Sequence, residues 1–444
     1  MTEPITGKGG SPSPFVNAFD GPAIGSLRYN TSEAGTVIPI AYGTQRVSVN
    51  LIEFWGFTSG AGGKGGKGLG SSGGKKTANA QYAVDVALGV CQGPIGFTGA
   101  SHGIGGNNRI WANGGIAAGL GNVGLSGYAG SAGQAPDPVF ASADPNQPVL
   151  GYSGTAYVTG TPLQLGSSPA LPNLSFEVTG VAQGTAGPAF PDDARPDAIV
   201  TDLLTNPRYG AGFPPGNLDT AGALADWGSY CQAAQLAMSL LLDRQQPCAR
   251  WLEELAQLTA SAVVWSGNLL KIVPYGDAPL SANGASWTPN LTWQYALTDA
   301  DFLTGGGEPV TLTRSDPAQA TNWLSVEYMD STNSYNPQIV PAFDQGMIDL
   351  YGLRSEPPVQ AHEFTNPTSA AVSAQLMLQR KLYVRNTVTF RLGWAYALLE
   401  PMDIVLVTDI ALGLAAAPYR ITRIDEDDNG ELSVTAEEIP SVTP

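Results

Sequence analysis

The sequence is short of charge, and shortest of positive charge. Only 13% of its 444 residues are charged, and 21 Lys and Arg stand against 38 Asp and Glu, a net charge of −17. Such a chain repels polyanions, which argues against a nucleic-acid-binding surface over the protein at large. Histidine occurs twice, at His102 and His362, far apart in the chain. Ser101 beside His102 is no catalytic pair, because triad partners meet in space and need a third, orienting acid. Both histidines read as surface or loop residues. Cysteine occurs three times, at Cys91, Cys231 and Cys248. With no C-x-x-C pair and an odd count, neither a zinc site nor a disulfide framework is indicated. Buried free thiols are expected, in keeping with folding in a reducing compartment. No run approaches 18 apolar residues, so no membrane-spanning helix is expected. The opening stretch MTEPITGKGGSPSPF lacks the apolar core of a secretory leader.

What is abundant is glycine and proline, 55 and 34 residues, within a chain that is 43% hydrophobic. That composition is β-leaning and loop-rich, and the length suits roughly two to four domains. The densest glycine lies at SGAGGKGGKGLGSSGGKK, residues 59–76, where half the positions are Gly and four of the seven lysines cluster: Lys64, Lys67, Lys75 and Lys76. Gly68 to Gly73 spells G-x-G-x-x-G, and Gly74-Lys75-Lys76-Thr77 is one lysine away from a phosphate-binding loop. Such motifs act at the start of a helix. Here the next segment, QYAVDVALGVC, places Tyr82, Val84, Val86, Leu88 and Val90 on one face at period two, which is a strand. The preceding stretch, residues 37–57, also reads as β. The segment is therefore a long hairpin loop, and no cofactor is expected.

Along the chain, residues 1–29 form an N-terminal segment expected to be mobile. Residues 30–182 form a first β domain, with the Gly/Lys hairpin loop at 58–78 and an extended Gly/Ala-rich insert at 114–150. Residues 190–280 change character. Helices are expected over 196–206, 221–234 and 244–262, the first opening at Pro196 and stopped by Pro207. Strands at 262–265 and 269–273 follow, joined by Ser266-Gly267-Asn268. Residues 290–395 are β with one helix near 369–384, and residues 396–444 form a C-terminal β unit. The acidic stretch DEDDNGELSVTA sets Asp425, Asp427, Asn429 and Gly430 as in a calcium loop, but Ala436 stands where the bidentate Glu is needed. Asn429-Gly430 between alternating strands predicts a hairpin instead. The acidic pairs Asp192-Asp193, Glu253-Glu254 and Glu437-Glu438 read as solvated edges. No convincing catalytic constellation emerges.

One stretch is more distinctive. IVTDLLTNPRYGAGFP, residues 199–214, ends a helix at Pro207, offers Tyr209 as a core anchor and Gly210 for a positive φ. Taken in order, GVCQGPIGF, RIWANG, TDLLTNPRYGAG, WGSYC, VVWSGNLLKIVPYGD, NWLSVEYMD and the acidic hairpin resemble the central tail-hub proteins of long-tailed bacteriophages, the family of the phage lambda tail-tip protein. The resemblance spans roughly residues 36–440, and IPIAYGTQRV is similar to the siphophage and gene-transfer-agent versions. Pro207, Arg208, Tyr209, Gly210 and Trp265 are its structural signature.

The resemblance implies a β-rich α+β chain: two tail-tube-like β-barrel domains, a helical α/β domain between them and a C-terminal β unit. It implies a homotrimer that adapts a six-fold tail tube to a three-fold tip and lines a DNA ejection channel, with no enzymatic turnover. Implied partners are the distal tail or tail-tube ring protein, the tape measure protein's C-terminus, other tip proteins and fibres, and DNA in transit without sequence-specific binding. No membrane insertion is implied. The location would be the virion tail tip, after synthesis in the bacterial cytoplasm. The four loop lysines are candidates for contact with an acidic neighbour. A receptor- or carbohydrate-binding tail protein and a cell-wall-degrading tail enzyme are the alternatives. Unlike the lambda protein, this sequence carries no fibronectin-like modules.

Overall fold

The computed structural model describes residues 36–61, 80–97, 109–116, 125–143, 150–304 and 307–440. The chain divides into two units, Met1–Gln183 with Leu240–Gln245, and Gly184–Ser239 with Gln246–Pro444.

The first unit is built from strands β1 (Ile40–Ala41), β2 (Thr44–Ser48), β3 (Asn50–Ala61), β4 (Ala80–Gln92), β5 (Gly96–Phe97), β6 (Ile110–Ala112), β7 (Gly115–Ile116), β8 (Leu125–Tyr128), β9 (Thr155–Gly166), β10 (Leu174–Thr179) and β11 (Leu241–Leu242), with one short helix, α1 (Pro138–Ala143). Strands β3-β4-β9-β8 form one sheet and β2-β10-β6-β7 another, with β5 also on β10 and β1 paired to β11. The predicted period-two face of β4 is buried, and Val84, Val86 and Leu88 are fully enclosed in a core shared with Val47, Leu174, Phe176 and Val178. Ala61 pairs with Ala80, so the strands flanking the Gly/Lys segment do form a hairpin.

Two expectations change here. The stretch 37–57 that reads as β does not form one continuous strand: β2 and β3 follow each other within it and lie in different sheets. Val49 is the corner, its N–H donating to Leu174 O at 3.3 Å, and one residue of turning there lets the same run supply both layers. The 114–150 insert is also not simply extended, since β8 and α1 lie within it. Asp137 organises it: Oδ1 accepts from Val139 N (2.7 Å) and Phe140 N (3.3 Å), and Oδ2 from Tyr128 Oη and Thr159 Oγ1, both at 2.8 Å. Phe140 then packs edge-on against Trp55.

The second unit opens with helices α2 (Pro196–Thr205), α3 (Ala223–Ala233) and α4 (Cys248–Leu258). The third is shorter than expected. Pro247 precedes it, and Ala260 at φ 47° ends it before β12 (Ser261–Ser266). Strand β12 pairs with β13 (Leu269–Pro274), and β14 (Leu280–Ala282) with β15 (Ala285–Trp287). Gly267-Asn268 and Asn283-Gly284 join these hairpins with positive φ at both positions, the twist that two-residue turns require.

Strands β16 (Trp293–Leu297), β17 (Val310–Arg314), β21 (Asn386–Leu392), β22 (Ile404–Asp409), β23 (Leu414–Glu426) and β24 (Leu432–Glu438) form a six-stranded sheet ordered β16-β22-β23-β24-β21-β17. The strands of 396–440 thus share a sheet, and the core around Val388, Phe390, Val405, Ile421 and Val434, with those of 290–395. Strands β18 (Trp323–Asp330), β19 (Asn336–Phe343) and β20 (Val359–Gln360) form a smaller sheet, and β18 and β19 contact α6 (Pro367–Tyr383). A second helix, α5 (Gln345–Tyr351), stands in the region where one was expected.

The architecture is β-rich α+β with several largely antiparallel sheets, as expected. Closed barrels are not found. Among the described residues the six-stranded sheet ends at β16 and β17, and the sheets of the first unit end at β2, β7, β3 and β8, each with a single partner. Closure requires every strand to have two.

Candidate assembly surface

The signature stretch is a lock on the end of α2. A helix leaves its last carbonyls without partners, and here the following loop satisfies them. Asn206 N donates to Asp202 O, Ala211 N to Leu203 O and Phe213 N to Leu204 O, at 2.9–3.0 Å. Pro207 follows the last helical turn, as expected. Pro207 and Arg208 are exposed, and Arg208 N donates to Asn206 Oδ1 at 3.0 Å. Tyr209 is half-buried rather than a core anchor. Its hydroxyl donates to Asp202 Oδ2 at 2.7 Å, and burial together with that carboxylate pushes its pKa up. Gly210 is required, but not for a positive φ. A Cβ there would sit 2.6 Å from Asn206 O and 2.8 Å from Leu203 O, so the loop can close onto the helix only if that position is bare. The positive φ, 66°, belongs to Gly212.

The structure also brings Trp265 to this segment. Phe213 meets the Trp265 ring edge-on at 6.0 Å, while Asn217 Nδ2 donates to Asn268 O at 2.9 Å. Trp265 is 55% exposed. The signature and the β12–β13 hairpin therefore present one aromatic surface, a juxtaposition that spacing alone did not reveal.

The other candidates are scattered. Lys64, Lys67, Lys75, Lys76 and His102 lie outside the described residues. His362 is exposed, with Nε2 2.9 Å from Glu327 Oε1. The acidic turn is a hairpin: Asp427 Oδ1 accepts from Asn429 N and Glu431 N at 2.9 Å, Gly430 takes φ 75°, and Arg391 pairs with Asp427 and Glu431. The backbone hydrogen bonds, chiefly from Glu431, hold the Asp427 carboxyl below its ordinary range.

Two of the acidic pairs are not solvated edges. Asp193 is buried, taking Ser239 Oγ at 2.6 Å and Thr365 Oγ1 at 3.0 Å on Oδ1, and Asn366 Nδ2 at 3.1 Å on Oδ2. Burial raises its pKa against the pull of those three donors. Glu437 takes a fork from Arg380, and Glu438 accepts from the backbone of Arg385 and Asn386. Sequence offered no signal for these roles, because every partner lies more than 45 residues away.

Large apolar side chains remain uncovered across the second unit, with Trp293, Ile339, Leu350, Leu353, Trp394, Leu398 and Ile410 at least half exposed. Strand β19 forms the edge of its sheet, and Pro337 and Pro341 remove two of its backbone N–H groups, which disfavours further strand pairing.

No curated protein matches the sequence. The fold is similar to a chain in the virion of a native gene transfer agent particle, with TM-score 0.60 at 18% identity over 94% of this chain and 88% of that one. Prophage tail proteins align over much of their length at low structural similarity: gp18 of Listeria monocytogenes (TM-score 0.31, 10% identity, 82% and 86% covered) and the 43 kDa tail protein of prophage MuSo2 of Shewanella oneidensis (0.33, 12%, 90% and 98%). The sequence itself adds one match: residues 248–424, from α4 into β23, fit the family model described as a putative phage tail protein.

Proposed function

We propose that this chain is a structural protein of a phage-type tail, and within it the central hub: a trimer that adapts a six-fold tube to a three-fold tip and lines the path of the exiting DNA. The observation that carries the reading is the fold likeness to a gene-transfer-agent virion chain over nearly the whole length of both, joined to the tail-family match over residues 248–424. The charge supports it. Three copies carry 3 × −17 = −51, and a channel lined by part of that charge lets DNA slide rather than stick.

Imaging of intact tails by electron microscopy, without imposed symmetry, tests this. Three copies around an axial channel at the tip are expected. A single copy, or a position off the axis, overturns the hub. A receptor-binding role is the second reading, favoured by the exposed Trp265, Trp293 and Trp394. It requires the isolated protein to bind host cells or their glycans.

A further inference from the structure

The second unit carries a cleft of about 180 Å³ between the β12–β13 hairpin and the neighbouring starts of β16 and β22. Its floor is apolar, with Val264 and Ile404 buried and Met402 half-buried. Two features set it apart from an ordinary surface hollow. Met402 takes φ 78°, a strained conformation for a residue other than glycine. Strand β23 holds it there: Met402 N donates to Ile421 O at 2.7 Å, and Ile421 N to Asp403 O at 2.8 Å. Backbone strain that a fold maintains in this way concentrates at binding sites. Asp403 is the second feature. Its Oδ2 accepts from Glu400 N at 2.9 Å, while its Oδ1 accepts from no donor among the described residues, and burial raises its pKa. A carboxylate half withdrawn from water in a cleft, with lone pairs unused, is a mark of a ligand site.

The rim decides the ligand's chemistry. Glu400, Asp403 and Lys271 sum to −1, which disfavours an anion, and the Lys271 ammonium, 2.9 Å from Glu400, already holds the place of a cation. Lys271 spends one of its three N–H groups on Glu400. Asn290 spends its Oδ1 on Thr292 N at 3.1 Å and has its Nδ2 to give. Unused donors and an unused acceptor thus ring an apolar floor. Hydroxyl groups match such a rim, because each donates and accepts at once. A ring with hydroxyls at its edge and C–H groups on its face satisfies rim and floor together. The cleft is smaller than the pockets that enclose drug-sized molecules, so it takes one ring rather than a chain.

We propose that this cleft binds a single neutral sugar residue. Val264, Met402 and Ile404 lie under its C–H face, Asp403 accepts from one hydroxyl, and Lys271 and Asn290 donate to its neighbours. This deepens the receptor-binding reading above and rests on it, and it moves the glycan contact from the exposed tryptophans to the cleft.

Saturation-transfer NMR on the full-length chain tests this, with the methyl glycosides of glucose, galactose, mannose and N-acetylglucosamine as probes. The wild type is expected to bind at least one of them. Asp403→Asn should weaken that binding about tenfold, the loss of one good hydrogen bond. Thr292→Arg, on the exposed rim, sets a long cationic side chain beside the carboxylates and should abolish it. If Thr292→Arg melts unlike the wild type, Gln294→Arg on the same rim replaces it. Trp265→Ala should bind like the wild type. Binding that survives Thr292→Arg, or an Asp403→Asn protein that binds like the wild type, overturns the cleft. If that surviving binding is lost in Trp265→Ala, the receptor-binding reading stands on the tryptophans instead. A wild type that binds no probe also overturns the cleft, while adhesion to host cells decides the receptor-binding reading. The hub reading stands or falls separately, on the position of the chain in tail particles.

Discussion

The guanidinium of Arg380 lies 3.5 Å from the centre of the Tyr275 ring while it forms both arms of a fork to Glu437, at 3.0 and 3.1 Å. Below the same tyrosine, buried Arg420 donates to Tyr275 O at 2.5 Å and reaches Gly276 O at 3.5 Å. Helix α6, the exit of β13 and strands β23 and β24 thus meet at one carboxylate, two guanidiniums and one ring.

That junction predicts a hierarchy. Arg420→Ala leaves the Tyr275 and Gly276 carbonyls without their buried donor while Glu437 keeps the fork from Arg380, and each acceptor left unpaired costs about 1–3 kcal/mol. Arg380→Lys keeps a charge but gives up the fork and the stacking, and should cost about 1–2 kcal/mol. Urea melts of the two variants should rank in that order. A tolerated Arg420→Ala would show that the junction is incidental.

Asp193 predicts a pH dependence whose sign follows from burial. Its folded pKa lies above the unfolded value of about 3.9. The group therefore favours folding fully below about pH 3.9, and that contribution is lost as pH rises through the folded pKa. Asp193→Asn abolishes this term. Its one carboxamide oxygen can serve Asn366 Nδ2 only by turning the NH2 to the Ser239 and Thr365 hydroxyls, which then lose their acceptor, at a cost of about 1–3 kcal/mol. The variant's deficit should be largest near pH 4 and shrink toward neutrality. A deficit equal at pH 4 and pH 7 would refute the assignment.

Thiol titration separates the three cysteines. Burial pushes the Cys91 thiol up to about 12 and raises fully enclosed Cys231 well above its ordinary range, whereas Cys248 is only partly buried. Since the thiolate is the reactive form, Ellman's reagent should modify Cys248 first in the native protein and all three in denaturant. Fast labelling of Cys91 under native conditions would contradict the buried core of β4.

Glycine at the signature can be tested by position. Gly210→Ala drives a methyl into the backbone of α2 and should destabilise by about 1–3 kcal/mol. Gly212→Ala meets open space and carries only the positive-φ penalty, about 1–2 kcal/mol. Thermal melts should place Gly210→Ala at or below Gly212→Ala. The reverse order would mean that the loop does not seat on the helix.

Local pattern in the sequence determined the alternating face of β4, the stop of α2 at Pro207, the Gly267-Asn268 turn and the hairpin at Asn429-Gly430. Each rests on forces within a few residues: pleat alternation, a missing N–H, a positive φ. Tertiary structure alone decided the burial of Asp193 and Glu437, the corner at Val49 and the open sheet edges, because their partners come from distant parts of the chain. Gly210 falls between the two. A glycine was legible, but its reason, the approach of the loop to Leu203 and Asn206, appears only once the helix is folded. The exposed α5 was invisible for the opposite reason. No burial pattern marks a helix whose apolar residues face outward and which is held at its ends, by Asp344 on Met347 N and Tyr383 Oη and by buried Asn322 on Gly352 O.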